Sequence, residues 1–208
     1  MENEMLKIFD QQYNQIGVAT RDEVHRIGHW HEAFHCWFFS RKGEEEVIYL
    51  QIRSQLKKDY PNLLDITAAG HLLADETIKD GIREIEEEIG VEVSFDALIS
   101  AGVYKYAVEK GNFIDKELAH IYLFETDLPL HAFTLQKEEV SGIVQVKLTD
   151  FYELWLGEKE EVNVQGFEIE NTGNRILLNK TVNRTHFVPH ERGYYEHMIK
   201  SIQKISAK

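Results

Sequence analysis

Cysteine is nearly absent from this 208-residue chain, where Cys36 stands alone. An internal disulfide and any multi-cysteine zinc site are therefore excluded, which suits a reducing cytosol, and a cytoplasmic location is the expectation. On a stretch of apolar character, Cys36 reads as a small buried hydrophobe rather than a nucleophile. No apolar run approaches the ~18 residues that a membrane span needs. The opening residues, MENEMLKIFD, lack the basic-then-apolar pattern of a secretory signal. Basic residues are scarce too: 23 Lys and Arg face 36 Asp and Glu, for a net charge of −13. A surface that acidic disfavours non-specific nucleic-acid binding. It also repels polyphosphates unless basic residues gather locally and a metal is present. No internal repeat or low-complexity tract is seen.

What is present is a hydrophobic fraction of 43%, enough for a core, in a length that fits one domain with embellishments. One stretch, GHLLADETIKDGIREIEEEIG, concentrates the chemistry between Gly70 and Gly90. Ile78, Ile82, Ile85 and Ile89 recur at helical spacing and predict a stripe facing a core. Glu84, Glu87 and Glu88 fall at i, i+3 and i+4 and share another face. An acidic run alone would be a solvated helix face. Three carboxylates crowded on one face also repel each other, and a hard divalent cation, Mg²⁺ or Mn²⁺, removes that repulsion. The glycine-bearing loop before the helix lets backbone approach a phosphate, and Gly90 is placed to stop the helix.

The combined pattern resembles the Nudix box, the signature of hydrolases acting on diphosphates linked to another group. The chain supplies Gly70, Glu76, Arg83, Glu84, Ile85, Glu87, Glu88, Gly90 and Val91. One departure stands out: six residues separate Glu76 from Arg83, where the family has seven. The resemblance implies an α/β (α+β) fold, a Nudix-type α/β/α sandwich with a mixed sheet and antiparallel hairpins. The expected organisation is a single Nudix domain over residues 1–208. Its core would span about 15–151, with a C-terminal hairpin and helix extension over about 157–208.

Pattern along the chain predicts strands over 6–9, 13–20, 33–39, 47–53, 97–108, 117–125 and 140–148, with 63–69 leading into the glycine loop. Turns are expected at 41–45 and 110–115. A short helix should open at Thr149 and Asp150. Strands over 162–169 and 175–178 flank a turn at 171–174, and a last helix covers 191–205. Arg53, Lys57 and Lys58 form a basic cluster in an otherwise acidic chain. It reads either as a solvated loop or as a clamp on substrate phosphates. Trp30, Trp37 and Phe38 read as core.

The segments HRIGHWHEAFHCWFF, QIRSQLKKDYPNLLDITAAGH and DKELAHIYLF are similar to the isopentenyl-diphosphate isomerase-like branch of the superfamily. That resemblance implies a metal site at His25, His31 and His71, an acidic pair at Asp115 and Glu117, and diphosphate contacts from Arg53 and Lys57. Ala69 occupies the position of the isomerases' essential cysteine, and alanine cannot move a proton. The expected activity is therefore metal-assisted hydrolysis of a diphosphate. Glu84, Glu87 and Glu88 would hold Mg²⁺ or Mn²⁺, with Arg83 pairing to a carboxylate such as Glu87 and orienting it. Gly70, His71, Arg53 and Lys57 would bind substrate, and Glu117, following a turn, is the candidate base. The rival readings are an isomerase of isoprenoid diphosphates and a catalytically silent nucleotide-sensing module. The expected partner is a small-molecule diphosphate, with a homodimer allowed and neither nucleic acid nor membrane expected.

Overall fold

The aromatic-rich run Trp30–Ser40 is extended, and the sheet is built on it. The computed structural model describes residues 4–41, 45–111, 113–170 and 172–206. Its strands are β1 (Met5–Phe9), β2 (Gln15–Thr20), β3 (Trp30–Ser40), β4 (Val47–Arg53), β5 (Leu64–Asp65), β6 (Ala68–His71), β7 (Ile99–Lys110), β8 (Phe113–Glu125), β9 (Val140–Lys147), β10 (Glu161–Ile169) and β11 (Arg175–Asn183). The helices are α1 (Arg21–Ile27), α2 (Arg83–Ile89), α3 (Leu148–Leu156) and α4 (Arg192–Ser206).

Strand β3 pairs in parallel with β8 along its whole length, from Trp30 opposite Lys116 to Phe39 opposite Glu125. β7 continues outward from β8, antiparallel. β6 lies antiparallel on the other side of β3, with Phe34 opposite Gly70. Contact between β3 and β4 is confined to Phe39–Ile48 and Ser40–Val47, and there the sheet divides. β4 carries on with β5 and β9, followed by β10 and β11. The result is a mixed, largely antiparallel sheet with few helices, as the sequence pattern predicts.

Alternation along β3 feeds two cores. Trp37 and Phe39 face one that is closed by α3 and α4, through Phe151, Tyr194, Met198 and Ile202. Phe34, Cys36 and Phe38 face the other, which holds Ile85 and Ile89 of α2. Fully burying side chains of this size stabilises by roughly 1.5–3 kcal/mol each. Cys36 is buried, as expected, and burial pushes its thiol upward and away from reactivity. Trp37 and Phe38 are core, whereas Trp30 is half-buried with the Lys105 ammonium 4.4 Å from its ring centre. Residues from β10, β11 and α4 share one core cluster with β3 and β8, so the C-terminal segment packs into the sheet.

Several elements differ from the pattern-based expectation. Helix α1 was not anticipated, yet Thr20 caps it by accepting the Glu23 N–H at 3.3 Å, and Gly28 ends it in the left-handed conformation. β7 and β8 extend to Lys110 and from Phe113, so Asp115 lies within a strand rather than in the loop, and Glu117 lies inside the strand rather than at its start. β11 runs on to Asn183, and α3 begins at Leu148. Residues 42–44, 112 and 171, which belong to the three predicted turns, lie outside the described residues. Among the described residues no helix is long and apolar enough to cross a membrane.

Candidate active site

Helix α2 turns Glu84 and Glu88 inward. A 3-10 turn, Asp80–Ile82, leads into it, and Gly90 ends it at φ +67°, donating to Glu86 O at 2.9 Å. Ile85 and Ile89 anchor the helix in the core, with Ile78 and Ile82 packed against the same cluster. That orientation buries Glu84 and Glu88 and leaves the Glu87 side chain 53% exposed. Glu88 Oε2 accepts from the Ala69 N–H at 3.0 Å and from Gln51 Nε2 at 3.3 Å. The Glu84 carboxylate fills the space over Gly70, where an added Cβ would sit 2.2 Å from Cδ and Oε1.

Arg83 organises this group. It donates to Glu84 Oε1 at 2.7 Å, to Glu87 Oε2 at 3.0 Å and to the His71 carbonyl at 3.2 Å. Glu76 takes two of its donors, Nε at 2.5 Å and Nη2 at 3.1 Å, a bidentate pair. Glu76 also accepts the Leu73 N–H at 2.8 Å. The shortened spacing between Glu76 and Arg83 thus still closes the loop onto the helix.

Burial drives the Glu84 carboxyl up to about 7, against the pull of Arg83. Burial and the neighbouring Glu84 drive Glu88 up to about 8. Two buried carboxyls that hold protons near neutrality are short of positive charge, and an oxygen-only donor set of this kind fits a hard divalent cation. A stability signature follows. Both folded-state pKa values lie above the ordinary glutamate value, so between about pH 4.5 and 8 the native state binds more protons than the unfolded one. Stability of metal-free protein is fullest below the unfolded value and is lost as pH rises through about 7 and about 8. After chelation, Tm should fall by roughly 5 °C or more between pH 6 and 8.5, and saturating Mg²⁺ should restore it at pH 8.5. A flat metal-free profile across that range would contradict the charge deficit.

A second group gathers where α1, β3, β6 and β8 meet. The ligand atoms of His25, His31, His71 and Asp115 all lie within 4.8 Å of one another. His25 Nδ1 and His31 Nδ1 are 2.8 and 3.1 Å from the carbonyls of Arg21 and His29. A carbonyl can only accept, so each Nδ1 carries a proton. Each Nε2 then faces Asp115 Oδ1, at 3.5 and 3.4 Å. All three atoms are buried without a hydrogen-bond partner among the described residues. Burial lowers His31 and pushes His71 well down; for His25 it is outweighed by Asp115, and the net shift is upward.

Beside this group Glu117 is buried, with His35 Nε2 at 3.1 Å and the Tyr106 hydroxyl donating at 2.7 Å. Burial alone would raise its carboxyl, but facing His35 holds it well below the ordinary value. The Tyr194 hydroxyl of α4 lies 2.9 Å from His35 Nδ1 and accepts from Trp37 Nε1 at 3.0 Å. Glu84, Glu87 and Glu88 line one cavity of about 310 Å³ with His25, His71, Asp115 and Glu117, together with Arg53, Lys57 and His190. Arg53 donates to Asp65 Oδ2 at 2.8 Å and to the carbonyls of Asp59 and Tyr60, and Lys57 pairs with Glu139.

The NUDIX domain profile matches residues 29–186. The chain belongs to the Nudix family. It is 37% identical over 202 residues to an uncharacterized Nudix hydrolase of Clostridium acetobutylicum, covering 97% of this chain and 98% of that one. It is 36% identical over 157 residues, 73% of this chain, to Nudix hydrolase 3 of Arabidopsis thaliana, of which it spans 20%. An isopentenyl-diphosphate Delta-isomerase of Photorhabdus laumondii is 29% identical over 175 residues, covering 82% of this chain and 93% of that one. The fold matches a solved Deinococcus radiodurans structure with a TM-score of 0.55 at 19% identity, covering 74% of this chain and 90% of that one. A MutT protein from Methanosarcina mazei gives 0.53 at 17%, covering 84% and 96%.

For a Nudix hydrolase, the predicted residues are well gathered: Arg83, Glu84, Glu87, Glu88, Gly70, His71, Arg53, Lys57 and Glu117 all line the one cavity. Arg53 and Lys57 reach it already paired with carboxylates, whereas Lys58 is exposed. Sequence reasoning missed Tyr106, Tyr194, Asp65 and His190. Tyr194 and His190 have partners far along the chain, with His190 and Asp65 separated by 125 positions, whereas Tyr106 meets Glu117 across the β7–β8 hairpin.

Proposed function

We propose that this hydrolase cleaves a diphosphate linkage in a nucleoside diphosphate derivative or a related small-molecule diphosphate, using Mg²⁺ or Mn²⁺. The supporting observation is the pair Glu84 and Glu88, buried, short of positive charge and seated against Gly70 and Ala69. These two and Glu87 would hold the cation, which polarises phosphoryl oxygen and acidifies water when bound. Arg83 orients Glu84 and Glu87. Gly70 keeps the floor of the cavity low, and Gly70 and His71 form its edge beside the phosphates. Arg53 and Lys57 neutralise phosphate charge, their carboxylate partners holding them in place. Glu117, kept ionised by His35 and aimed by Tyr106, takes a proton from the attacking water. The His25, His31, His71 and Asp115 cluster offers a second, nitrogen-rich metal site of a kind that suits a transition-metal ion. The whole of residues 1–208 acts as one unit.

The histidine cluster and the Tyr106–Glu117 pair favour one second reading, isomerisation of isoprenoid diphosphates. Against it, Ala69 lines the cavity with no group that can move a proton. The deciding experiment screens nucleotide sugars, dinucleotides, nucleoside triphosphates and isoprenoid diphosphates with Mg²⁺ or Mn²⁺. Metal-dependent release of phosphate or a nucleoside monophosphate is expected. Deuterium incorporation from solvent into isopentenyl diphosphate, well above a Glu117→Gln control, would promote the isomerase instead. Within the hydrolytic reading, Arg53→Ala should raise KM by about 10-fold or more and change kcat less, as loss of a charged hydrogen bond predicts. An unchanged KM on every active substrate would remove Arg53 from the phosphate clamp.

A further inference from the structure

The C-terminal segment brings His190 into the wall of the same cavity. Its side chain is 8% exposed and is held from several sides. Nε2 lies 2.9 Å from Asp65 Oδ1. The ring packs against Tyr194 and Tyr106, with centroids 5.1 and 5.4 Å away. Asp65 itself is buried; it accepts from Ile66 N at 2.8 Å and from Arg53 at 2.8 Å. Burial would raise its carboxyl, but His190 and Arg53 together hold it well below the ordinary range. An ionised carboxylate only accepts, so the proton of His190 is on Nε2. In the neutral ring with its proton on Nε2, Nδ1 is the acceptor, and here it is buried and without a partner among the described residues. An acceptor stripped of water in this way is unfavourable until a donor reaches it.

We propose that His190, held by Asp65, is a specificity-determining residue whose Nδ1 accepts a hydrogen bond from a hydroxyl on the group attached to the substrate diphosphate. This rests on the diphosphate-hydrolase reading and narrows it. Arg53 and His190 share Asp65, so the phosphate clamp and the hydroxyl reader are joined through one carboxylate. A ligand that offers only hydrocarbon at this end leaves Nδ1 unpaired and is rejected. The selected class is therefore a diphosphate carrying a sugar or another hydroxyl-bearing group, not an isoprenoid.

The test uses the full chain with ADP-ribose as probe, because it carries hydroxyls on both sides of its diphosphate. Its single-deoxy analogues form one arm. Inosine diphosphate-ribose, which lacks the exocyclic amine, forms another, and dimethylallyl diphosphate a third. One deoxy analogue should lose about 10–100-fold in kcat/KM with the native protein, mainly through KM. In His190→Phe that ratio should fall to within about 2-fold, and His190→Asn, whose amide oxygen can stand near Nδ1, should retain part of it. Discrimination left intact in His190→Phe would overturn the proposal, as would loss confined to the inosine arm or a preference for dimethylallyl diphosphate. Histidine nitrogen NMR provides a readout that needs no turnover. His190 Nδ1 should appear unprotonated in the free protein and shift on addition of ADP-ribose. A protonated Nδ1, or one unmoved at saturation, overturns the inference. Absence of hydrolysis across every diphosphate tried overturns the hydrolytic reading, and the nitrogen signal then decides the inference.

Discussion

Glu88→Gln should lower turnover by at least ~10²-fold at saturating substrate, and Glu87→Gln should do the same. Loss of ligand charge is the cause, because glutamine keeps the shape. At Glu88 its amide oxygen can still accept from Ala69 N, which now lies 3.0 Å from Oε2. The fold therefore survives, and the metal-free protein gains. A carboxyl pushed up to about 8 by burial is partly charged at pH 8 in a place that disfavours charge, and the amide removes that penalty. The variant should melt higher than the native protein after chelation and gain less from added Mg²⁺. At Glu87 the side chain is half-exposed and its tie is to Arg83, so the same activity loss should come without the gain in metal-free stability. Near-normal turnover of both variants at low Mg²⁺ would reject the assigned ligands.

The carboxylates were legible because they sit on a helix whose opposite stripe is apolar. The periodicity of Ile78, Ile82, Ile85 and Ile89 fixes which way the glutamates turn, and all four pack into the core around Phe34, Cys36 and Phe38. The sequence did not reveal that the acidic face is itself covered. Glu88 meets Ala69 and Gln51, and Glu84 meets Gly70, all contacts made by pairing β6 and β4 into the sheet. Helix α1 could have been read: Thr20 and Glu23 stand at N-cap spacing and Gly28 follows at the end. Missing it hid how His25 reaches His31 and His71. Asp115 was expected in the loop and Glu117 at the start of the strand; both are found inside β8, because β8 begins at Phe113 and pairs with β7 up to Lys110. Helix α4 was legible as a helix, but its contribution to the site was not. Tyr194 meets His35 across 159 positions, and no local pattern encodes a contact of that separation.

Gly70→Ala should reduce turnover by about 10²-fold or more while changing Tm by only a few degrees. A methyl at this position would lie 2.2 Å from Cδ and Oε1 of Glu84 and 2.6 Å from Oε2, closer than atoms can approach. Gly70 cannot retreat, because β6 is hydrogen-bonded to β3 with Gly70 opposite Phe34. What must move is the end of the Glu84 side chain. That is inexpensive for the fold, since a glutamate has other rotamers and Ile85 beside it stays anchored. It is expensive for the site, because the carboxylate leaves both the cavity floor and the Arg83 guanidinium that holds it 2.7 Å away. Metal affinity should fall with turnover, and Arg83 should be left paired to Glu76 and Glu87 alone. The double variant Gly70→Ala with Glu84→Ala separates steric from chemical effects. It should melt at least as high as Gly70→Ala, because the clash is gone, and it should remain inactive. Wild-type turnover in Gly70→Ala would mean that Glu84 acts from another position, and its assignment as a metal ligand would fall with the contact.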